Sequence, residues 1–230
     1  MGAASPHLPD ALDEFGIPII PEPTDAAQRR RQAIIDAALA EFLAEGYSAA
    51  SMDAITTRSG VSKATIYKHF GNKERLFLAV VGGVLPRTQS ALASAGTTVT
   101  EAAGAPGLRD VLVGLITDWG RLLLSPDIMS LRRLVIGEID RFPQLGQLWY
   151  SVTYDMNNRP LVEAFTVLHD RGVLDVPDPG LAVQQLIAAT IGVPQLVRTF
   201  TPDCVVGEAE LTRVVTSGVD LFLARYATGA

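Results

Sequence analysis

The side chains best placed for chemistry lie in and around one short stretch, residues 51–70, which is rich in hydroxyl and basic groups. The 230 residues contain only three lysines, Lys63, Lys68 and Lys73, all within eleven consecutive positions. The formal charge from Arg29 to Arg75 is +3, whereas that of the whole chain is −6. A basic segment on an acidic chain is typical of a surface that binds phosphate groups. The alternative is a solvated surface helix that merely carries lysines.

Two short helices separated by a tight turn are predicted in this stretch. Ser51 and Ser62 are suitable N-cap residues for the first and second helix. Gly60 permits the left-handed backbone conformation at which the first helix can end. Ile66 and Phe70 are four residues apart, so they should face inward together. This pattern predicts a helix-turn-helix, whose second helix enters the major groove of DNA.

The run from Arg29 to Phe77 resembles the DNA-binding domain of TetR-type transcriptional regulators. The resemblance is carried by Ile34, Ala38, Phe42, Gly46, Tyr47, Ile55, Gly60, Val61, Ser62, Thr65, Tyr67, His69, Phe70, Asn72, Lys73, Glu74 and Leu76. Ala64 stands where the family often has glycine, and Gly71 stands where a more polar residue is usual. The resemblance implies an all-α fold, with an N-terminal three-helix helix-turn-helix domain and a C-terminal helical bundle for ligand binding and dimerisation.

Three parts of the chain are predicted. Residues 1–25 hold five of the fourteen prolines and no helical period, which predicts a disordered or extended arm. Residues 26–75 form the predicted DNA-binding domain, whose first helix should run from Ala26 to Glu45. Residues 76–230 form the predicted regulatory and dimerisation domain.

Helical segments are readable through the predicted regulatory domain. Residues 91–106 read as a helix tail running into a loop. The later segments are 108–125, 127–141, 144–171, 179–200 and 208–226, and Pro160 should kink the third of them. The resemblance implies a homodimer through the last two long helices. The alternative is that these two helices only close the core of the monomer.

DNA contacts are predicted from the first helix, the helix-turn-helix and the start of the fourth helix. The residues expected at phosphates, by the resemblance, are Arg29, Arg30, Arg31, Ser51, Tyr67 and Lys73. The second helix of the helix-turn-helix is the recognition helix. The residues expected on its outer face are Ser62, Lys63, Ala64, Thr65, Lys68 and His69. Lysine can donate to guanine, and threonine or alanine can contact a thymine methyl group.

Aromatic and methionine residues in the second half of the chain suit either a core or an apolar ligand site with a few polar groups. The predicted ligand-binding residues are Trp119, Met129, Arg132, Arg133, Trp149, Tyr150, Tyr154, Asn157 and Gln184. The segment Met129–Tyr150, with Arg-Phe-Pro before a leucine-rich helix start, also resembles the C-terminal domain of one subgroup of these regulators.

Other classes of function find little support in the sequence. His7, His69 and His169 have no partners at metal-ligand spacing, and Cys204 is the only cysteine. The sequence lacks GxSxG, GxGxxG and a phosphate loop. We therefore predict no enzyme activity, no metal and no cofactor. No signal peptide is recognisable, and the uncharged run 180–197 contains glutamines and a proline, so a cytoplasmic protein without a membrane span is predicted.

The sequence thus predicts a ligand-responsive transcriptional regulator that binds double-stranded DNA as a homodimer. In the favoured reading it is a repressor that releases a palindromic operator when a small, largely apolar effector binds. One alternative is a regulator of the same fold that answers to a protein partner or to no ligand. A more distant alternative is an enzyme built on a helical bundle.

Overall fold

The computed structural model describes residues 26–84, 95–102 and 107–228, apart from the side chains at positions 84 and 154–157. The predicted N-terminal arm, residues 1–25, lies outside the described residues. Within the described residues every regular element is a helix, and Leu174 and Ala227 form one isolated antiparallel bridge. The predicted all-α fold class is confirmed.

The described helices follow one another along the chain. They are α1 (Ala26–Ala49), α2 (Met52–Ser59), α3 (Lys63–Phe70), α4 (Lys73–Val84), α5 (Ala95–Glu101), α6 (Gly107–Leu123), α7 (Pro126–Glu138), α8 (Pro143–Tyr150), α9 (Asn157–Asp170), α10 (Pro179–Ile187), α11 (Val193–Phe200) and α12 (Glu208–Tyr226), with two π-helical segments, π1 (Ser151–Met156) and π2 (Ala188–Gly192). α1 has a kink at Gly46, which leaves helical geometry at φ 74° and ψ 170°. The first straight part of α1 therefore ends at Glu45, as predicted, and the helix resumes after the kink up to Ala49.

Residue contacts divide the chain into two compact units. Among the described residues, the first unit comprises 26–84 with Arg133–Tyr150, and the second comprises 95–102, 107–132 and 151–228. This division differs from the predicted one, which ended the DNA-binding domain at residue 75. The physical reason is that Phe77 on α4 and Phe142 after α7 are both buried in the core of the first unit, with ring centroids 5.6 Å apart.

The core of the first unit is built from side chains that the helical period of α1 to α4 turns inward. Its largest side chains, each with less than 2% of its surface exposed, are Phe42, Phe70, Phe77, Ile34, Ile35, Ile55, Ile66 and Leu76. α1 packs against both α2 and α4. Asn72 caps α4 as its side-chain carbonyl accepts a hydrogen bond from the backbone N–H of Arg75 at 2.8 Å.

The second unit has its own apolar core, in which α12 packs against α6 and π2 while α5 packs against α9. Phe165 of α9 and Phe222 of α12 stack with ring centroids 5.1 Å apart. The short helix α5 replaces the helix tail predicted within residues 91–106. Its Gly96 allows a close approach, since a Cβ there would lie 2.8 Å from the backbone oxygen of Pro160.

Both π-helical segments are explained by prolines that follow them. Proline has no N–H, and its ring clashes with the carbonyl four residues earlier, so the helix must widen or bend there. Pro160 lies four residues after Met156 in π1, and Pro194 lies four residues after Thr190 in π2. The Thr190 hydroxyl donates to the Leu186 carbonyl at 2.7 Å. The kink predicted at Pro160 therefore appears as a π turn just before it.

The helical stretch Pro179–Phe200, which combines α10, π2 and α11, is unusually apolar. Its 22 residues include an 18-residue window with a mean hydropathy of 1.4, of which 33% is buried. By length and composition alone it could cross a membrane. The same properties suit a helix whose outer face is covered by another protein surface.

We expect Gly218→Ala to destabilise the protein by about 1–3 kcal/mol, because a Cβ at this position of α12 would overpack the core. That Cβ would lie 2.7 Å from the Ala189 backbone oxygen and 2.6 Å from Thr190 Cγ2. The matched control is Gly114→Ala on α6, where a Cβ meets nothing within 4 Å. The control should be stabilising by up to about 1 kcal/mol, because alanine favours a helix interior. Urea unfolding of both variants measures the difference, and equal stabilities would contradict the close packing.

Candidate nucleic-acid interface

The start of α2 is held by two serine hydrogen bonds and by one carboxylate from α1. Ser51 Oγ accepts hydrogen bonds from the backbone N–H groups of Asp53 at 3.2 Å and Ala54 at 3.4 Å. The N–H of Ser51 itself donates to Glu41 Oε1 at 3.0 Å, and Glu41 is buried. The predicted Ser51 cap is confirmed, whereas nothing in the sequence marked Glu41, ten residues upstream.

The turn into α3 is fixed by local hydrogen bonds and by one glycine. Gly60 adopts φ 66° and ψ 14°, the left-handed conformation that ends α2. The backbone N–H of Thr65 donates to Ser62 Oγ at 3.3 Å, and the two hydroxyl oxygens lie 2.8 Å apart. Ile66 and Phe70 are buried as predicted. The recognition helix is therefore held at its start by its cap and along one face by the core.

The opposite face of α3 is polar and open to solvent. Lys63, Ala64, Tyr67 and Lys68 are exposed, with 42% of Tyr67 accessible, while His69 is half-buried. This is the face that sequence analysis predicted to meet DNA. Its side chains supply hydrogen-bond donors and a methyl group, which are the groups that read base edges and contact phosphates.

A groove of about 550 Å³ connects the start of α1 with the helix-turn-helix. Arg29 and Arg30 of α1 line it together with Ser62 and Thr65 of α3. The remaining lining residues are Ala26, Ala33, Ser59, Gly60 and Val61, so the groove carries two cations and no acidic group. Both arginines are exposed. The structure thus brings together four of the predicted DNA-binding residues in a cavity suited to a phosphate backbone.

Arg31 does not share this exposed position, although it was predicted with Arg29 and Arg30 to face a polyanion. Its guanidinium carbon lies 4.5 Å from the ring centroid of Phe70, and the residue is buried. Within the described residues, its Nε and one terminal nitrogen have no hydrogen-bond partner. Burial lowers the pKa of the guanidinium. Arg31 therefore supports the inner face of the recognition helix instead of a surface phosphate contact.

Lys63, a predicted base-reading residue, is already engaged within the domain. Its Nζ lies 2.7 Å from Asp53 Oδ1 on α2, and both side chains are largely exposed. The hydrogen bond to Asp53 is the main cause that raises the pKa of Lys63. An exposed pair of this kind contributes little to stability. Lys63 can therefore leave Asp53 for a base or a phosphate at small cost.

Lys73, a predicted phosphate contact, is anchored at the start of α4. Its Nζ donates to the backbone oxygen of Ser48 at 3.1 Å and lies 4.9 Å from the ring centroid of Tyr47. Burial, and then the nearby charge of Arg141, lower the pKa of Lys73. An ammonium group has three N–H donors, so the bond to Ser48 leaves two for a phosphate.

Comparison with known proteins adds the family to this geometry. Residues 110–228, just over half of the chain, match the family model described as the C-terminal domain of AefR-like transcriptional repressors. Residues 34–80 match the model of bacterial regulatory proteins of the tetR family. The chain belongs to the TetR family.

Similar solved structures and curated relatives are also transcriptional regulators. A TetR-family regulator from Mesorhizobium loti is 32% identical with a TM-score of 0.79, and the match covers 89% of this chain and all of that one. The flavonoid-responsive regulator FrrA is 27% identical with a TM-score of 0.70, over 88% and 99% of the two chains. The transcriptional activator FasR from Mycolicibacterium smegmatis is 42% identical over 74 residues, which are 32% of this chain and 33% of FasR. The matches span 26% to 58% of the length of the curated relatives.

The predicted effector residues of this TetR-family chain divide between the two units. In the second unit, Trp119 and Met129 are buried, Gln184 is exposed, and Arg132 Nε donates to Thr199 Oγ1 at 3.1 Å. The predicted residues of the first unit are Arg133 and Trp149, both half-buried, and Tyr150, 56% exposed. The side chains of Tyr154 and Asn157 lie outside the described ones.

We expect Lys63→Ala to lose about 1–3 kcal/mol of discrimination at one or two positions of each DNA half-site, because it removes a donor to base edges. Asp53→Asn should instead strengthen binding to all sequences, since it frees Lys63 and removes an acidic group from the interface. Binding assays on a set of single-base operator variants measure both effects. If Lys63→Ala kept the base preference of the wild type at every position, Lys63 would be assigned to the DNA backbone.

We expect His69 to make the folded protein less stable as pH falls. Burial, and then the charge of Arg31, lower the pKa of His69 below its ordinary value of 6.5. The unfolded chain therefore binds a proton first, so stability is lost from about pH 6.5 downward until the folded pKa is passed. His69→Gln lacks this loss. Urea unfolding between about pH 7.5 and about pH 5 gives the free energy of unfolding of the wild type minus that of His69→Gln. This difference should decrease as the pH decreases. Parallel curves for the two proteins would contradict the prediction.

Proposed function

We propose that the protein is a homodimeric transcriptional repressor that binds a palindromic operator and releases it when a small, largely apolar effector binds. The observation that carries the proposal is the serine-capped recognition helix, which presents an exposed polar face beside the groove lined by Arg29 and Arg30. Two such helices in a two-fold dimer would read two half-sites at a fixed spacing. A protein that acts on DNA in this way belongs in the bacterial cytoplasm.

The dimer is supported by apolar side chains left exposed on the last helices of the second unit. Leu181 is 47% exposed, Val193 65%, Leu196 56%, Phe200 77% and Leu221 66%. Scattered apolar residues are normal on a protein surface, but a dense set on neighbouring helices indicates a surface that another chain covers. These residues lie in Pro179–Phe200 and α12, which are the two long helices predicted to form the homodimer. This explains the apolar character of Pro179–Phe200 without a membrane.

The effector is supported by polar atoms that lack partners in the core of the second unit. Trp119 Nε1 and Thr117 Oγ1 on α6, and Asn158 Oδ1 on α9, are buried and have no hydrogen-bond partner within the described residues. A buried polar group without a partner is costly, so each such group in a native protein calls for an explanation. Each of these atoms is a candidate contact for a small ligand that carries the complementary donor or acceptor in apolar surroundings. The similarity to FrrA, named as flavonoid-responsive, favours an aromatic effector with hydroxyl groups.

Repression is favoured over activation by the description of the matching C-terminal model. The similarity to the activator FasR favours the opposite sign and is confined to 74 residues. Transcription in vitro from a promoter that contains the operator decides between the two.

Selection of bound duplexes from a random DNA pool tests the DNA-binding part of the proposal. The wild type should enrich a palindromic sequence. Lys73→Met should weaken binding to the selected duplex and to a scrambled duplex alike, and should lower the slope of log affinity against log salt by about one unit, since it removes one phosphate contact. A wild type that enriches no sequence would refute the proposal. A change in base preference without a change in slope would remove Lys73 from the phosphate contacts.

We expect Leu196→Glu to convert the dimer to monomers, because it places a charge within the exposed apolar surface that the partner would cover. The matched control is Ile136→Glu on α7, where a side chain of similar size is 48% exposed in the first unit. Sedimentation velocity should show monomers for Leu196→Glu and dimers for Ile136→Glu. Dimers for both variants would place the interface elsewhere.

A further inference from the structure

The Arg-Phe-Pro motif that sequence analysis singled out, Arg141 to Pro143, has no role in the function proposed above. Arg141 and Phe142 lie in the turn between α7 and α8, and Pro143 is the first residue of α8. The motif belongs to the first unit, together with the helix-turn-helix. Phe142 has 2% of its surface exposed, whereas Arg141 is exposed. A buried aromatic residue next to an exposed cation indicates a specific contact made by this turn.

Phe142 completes an aromatic cluster around Tyr47, which follows the bend at Gly46 in α1. The ring centroid of Tyr47 lies 6.0 Å from Phe42, 4.9 Å from Phe77 and 4.9 Å from Phe142. The Tyr47 and Phe142 rings meet edge to face at 77°. Such geometry is favourable for aromatic pairs and restricts how the rings can move.

Two cations contact the same tyrosine ring. The Arg141 guanidinium carbon lies 4.7 Å from the Tyr47 centroid and 5.3 Å from that of Phe142. Lys73 Nζ lies 4.9 Å from the Tyr47 centroid and donates to the Ser48 carbonyl. A cation over an aromatic face is attracted by the negative charge of that face. The ring of Tyr47 is therefore the shared support of Arg141 and of the predicted phosphate contact Lys73.

We propose that Arg141 and Phe142 are positioning residues for DNA binding, which hold the Tyr47 ring where it fixes the ammonium group of Lys73 for a DNA phosphate. This inference rests on the proposed function. Arg141 and Lys73 are both cations and repel each other. An anionic phosphate beside Lys73 relieves that repulsion. The contact of Arg141 with Tyr47 and the binding of DNA therefore favour each other. The turn between α7 and α8 thereby becomes a determinant of DNA affinity without touching DNA.

The test uses the full chain and a duplex that the wild type selected from the random pool, with Kd measured over a range of salt concentrations. Arg141→Met keeps the apolar stem but loses the planar cation, and it should weaken binding about three- to tenfold. In a Lys73→Met background the same change should have less than about a twofold effect, because Arg141 acts through Lys73. The control Arg159→Met on α9 removes the same charge from an exposed side chain of the second unit and should bind like the wild type.

Phe142→Leu provides an independent variant that keeps an apolar side chain but loses the ring edge. It should weaken binding without changing the salt slope, and melting temperatures identify any variant that has lost its fold. Unchanged affinity for both Arg141→Met and Phe142→Leu would overturn the inference while leaving the proposed function intact. Additive losses from Arg141→Met and Lys73→Met, with the salt slope lowered by about one unit for each, would make Arg141 an independent phosphate contact and overturn its positioning role. A wild type that selects no duplex would overturn both proposals.

Discussion

The hydrogen bond from the Ser51 N–H to the buried carboxylate of Glu41 is the contact on which the DNA-binding unit depends. It joins the start of α2 to the middle of α1. A hydrogen bond to a charged group contributes about 1.5–3 kcal/mol, and loss of the donor would leave a buried carboxylate without its partner. Because α2 leads through a single glycine turn to α3, the bond also sets the position of the recognition helix relative to the arginines at the start of α1.

The basic character of this unit is used partly inside the protein and partly at its surface. Arg31 lies against Phe70 beneath the recognition helix, Lys63 pairs with Asp53, and Lys73 donates to Ser48. Arg29 and Arg30 instead line the open groove. A count of charges along the sequence cannot separate these roles, because it treats a cation buried on an aromatic ring like one exposed to solvent. The exposed pairs are weak enough to exchange for phosphates, whereas a buried guanidinium on a ring is not easily released.

Features that depend on neighbouring residues could be predicted from the sequence, and features that depend on distant residues could not. The caps Ser51, Ser62 and Asn72 act on backbone groups two or three positions away, so residue type and spacing were sufficient. The bond of Lys73 to Ser48 spans 25 positions. The contact of Arg141 with Tyr47 could not be predicted either. In the sequence, the two residues shared only that each lies in a segment that resembles the family. The helical segments were predicted for the same local reason, whereas the placement of residues 133–150 with the first unit required the tertiary contacts of Phe142.

The prolines show how a local rule leads to a feature of the whole helix. Pro160 predicted a kink. In the structure, the helix accommodates the missing N–H of this proline by widening the preceding turn, and the same occurs before Pro194. In the second case the widened turn packs against α12, where Gly218 leaves room for the Ala189 carbonyl. The widened turn thus brings the Ala189 carbonyl to a part of α12 where only a glycine allows close contact. The composition of α12 at this point follows from the proline 24 positions earlier, since both are needed for π2 to pack closely in the core of the second unit.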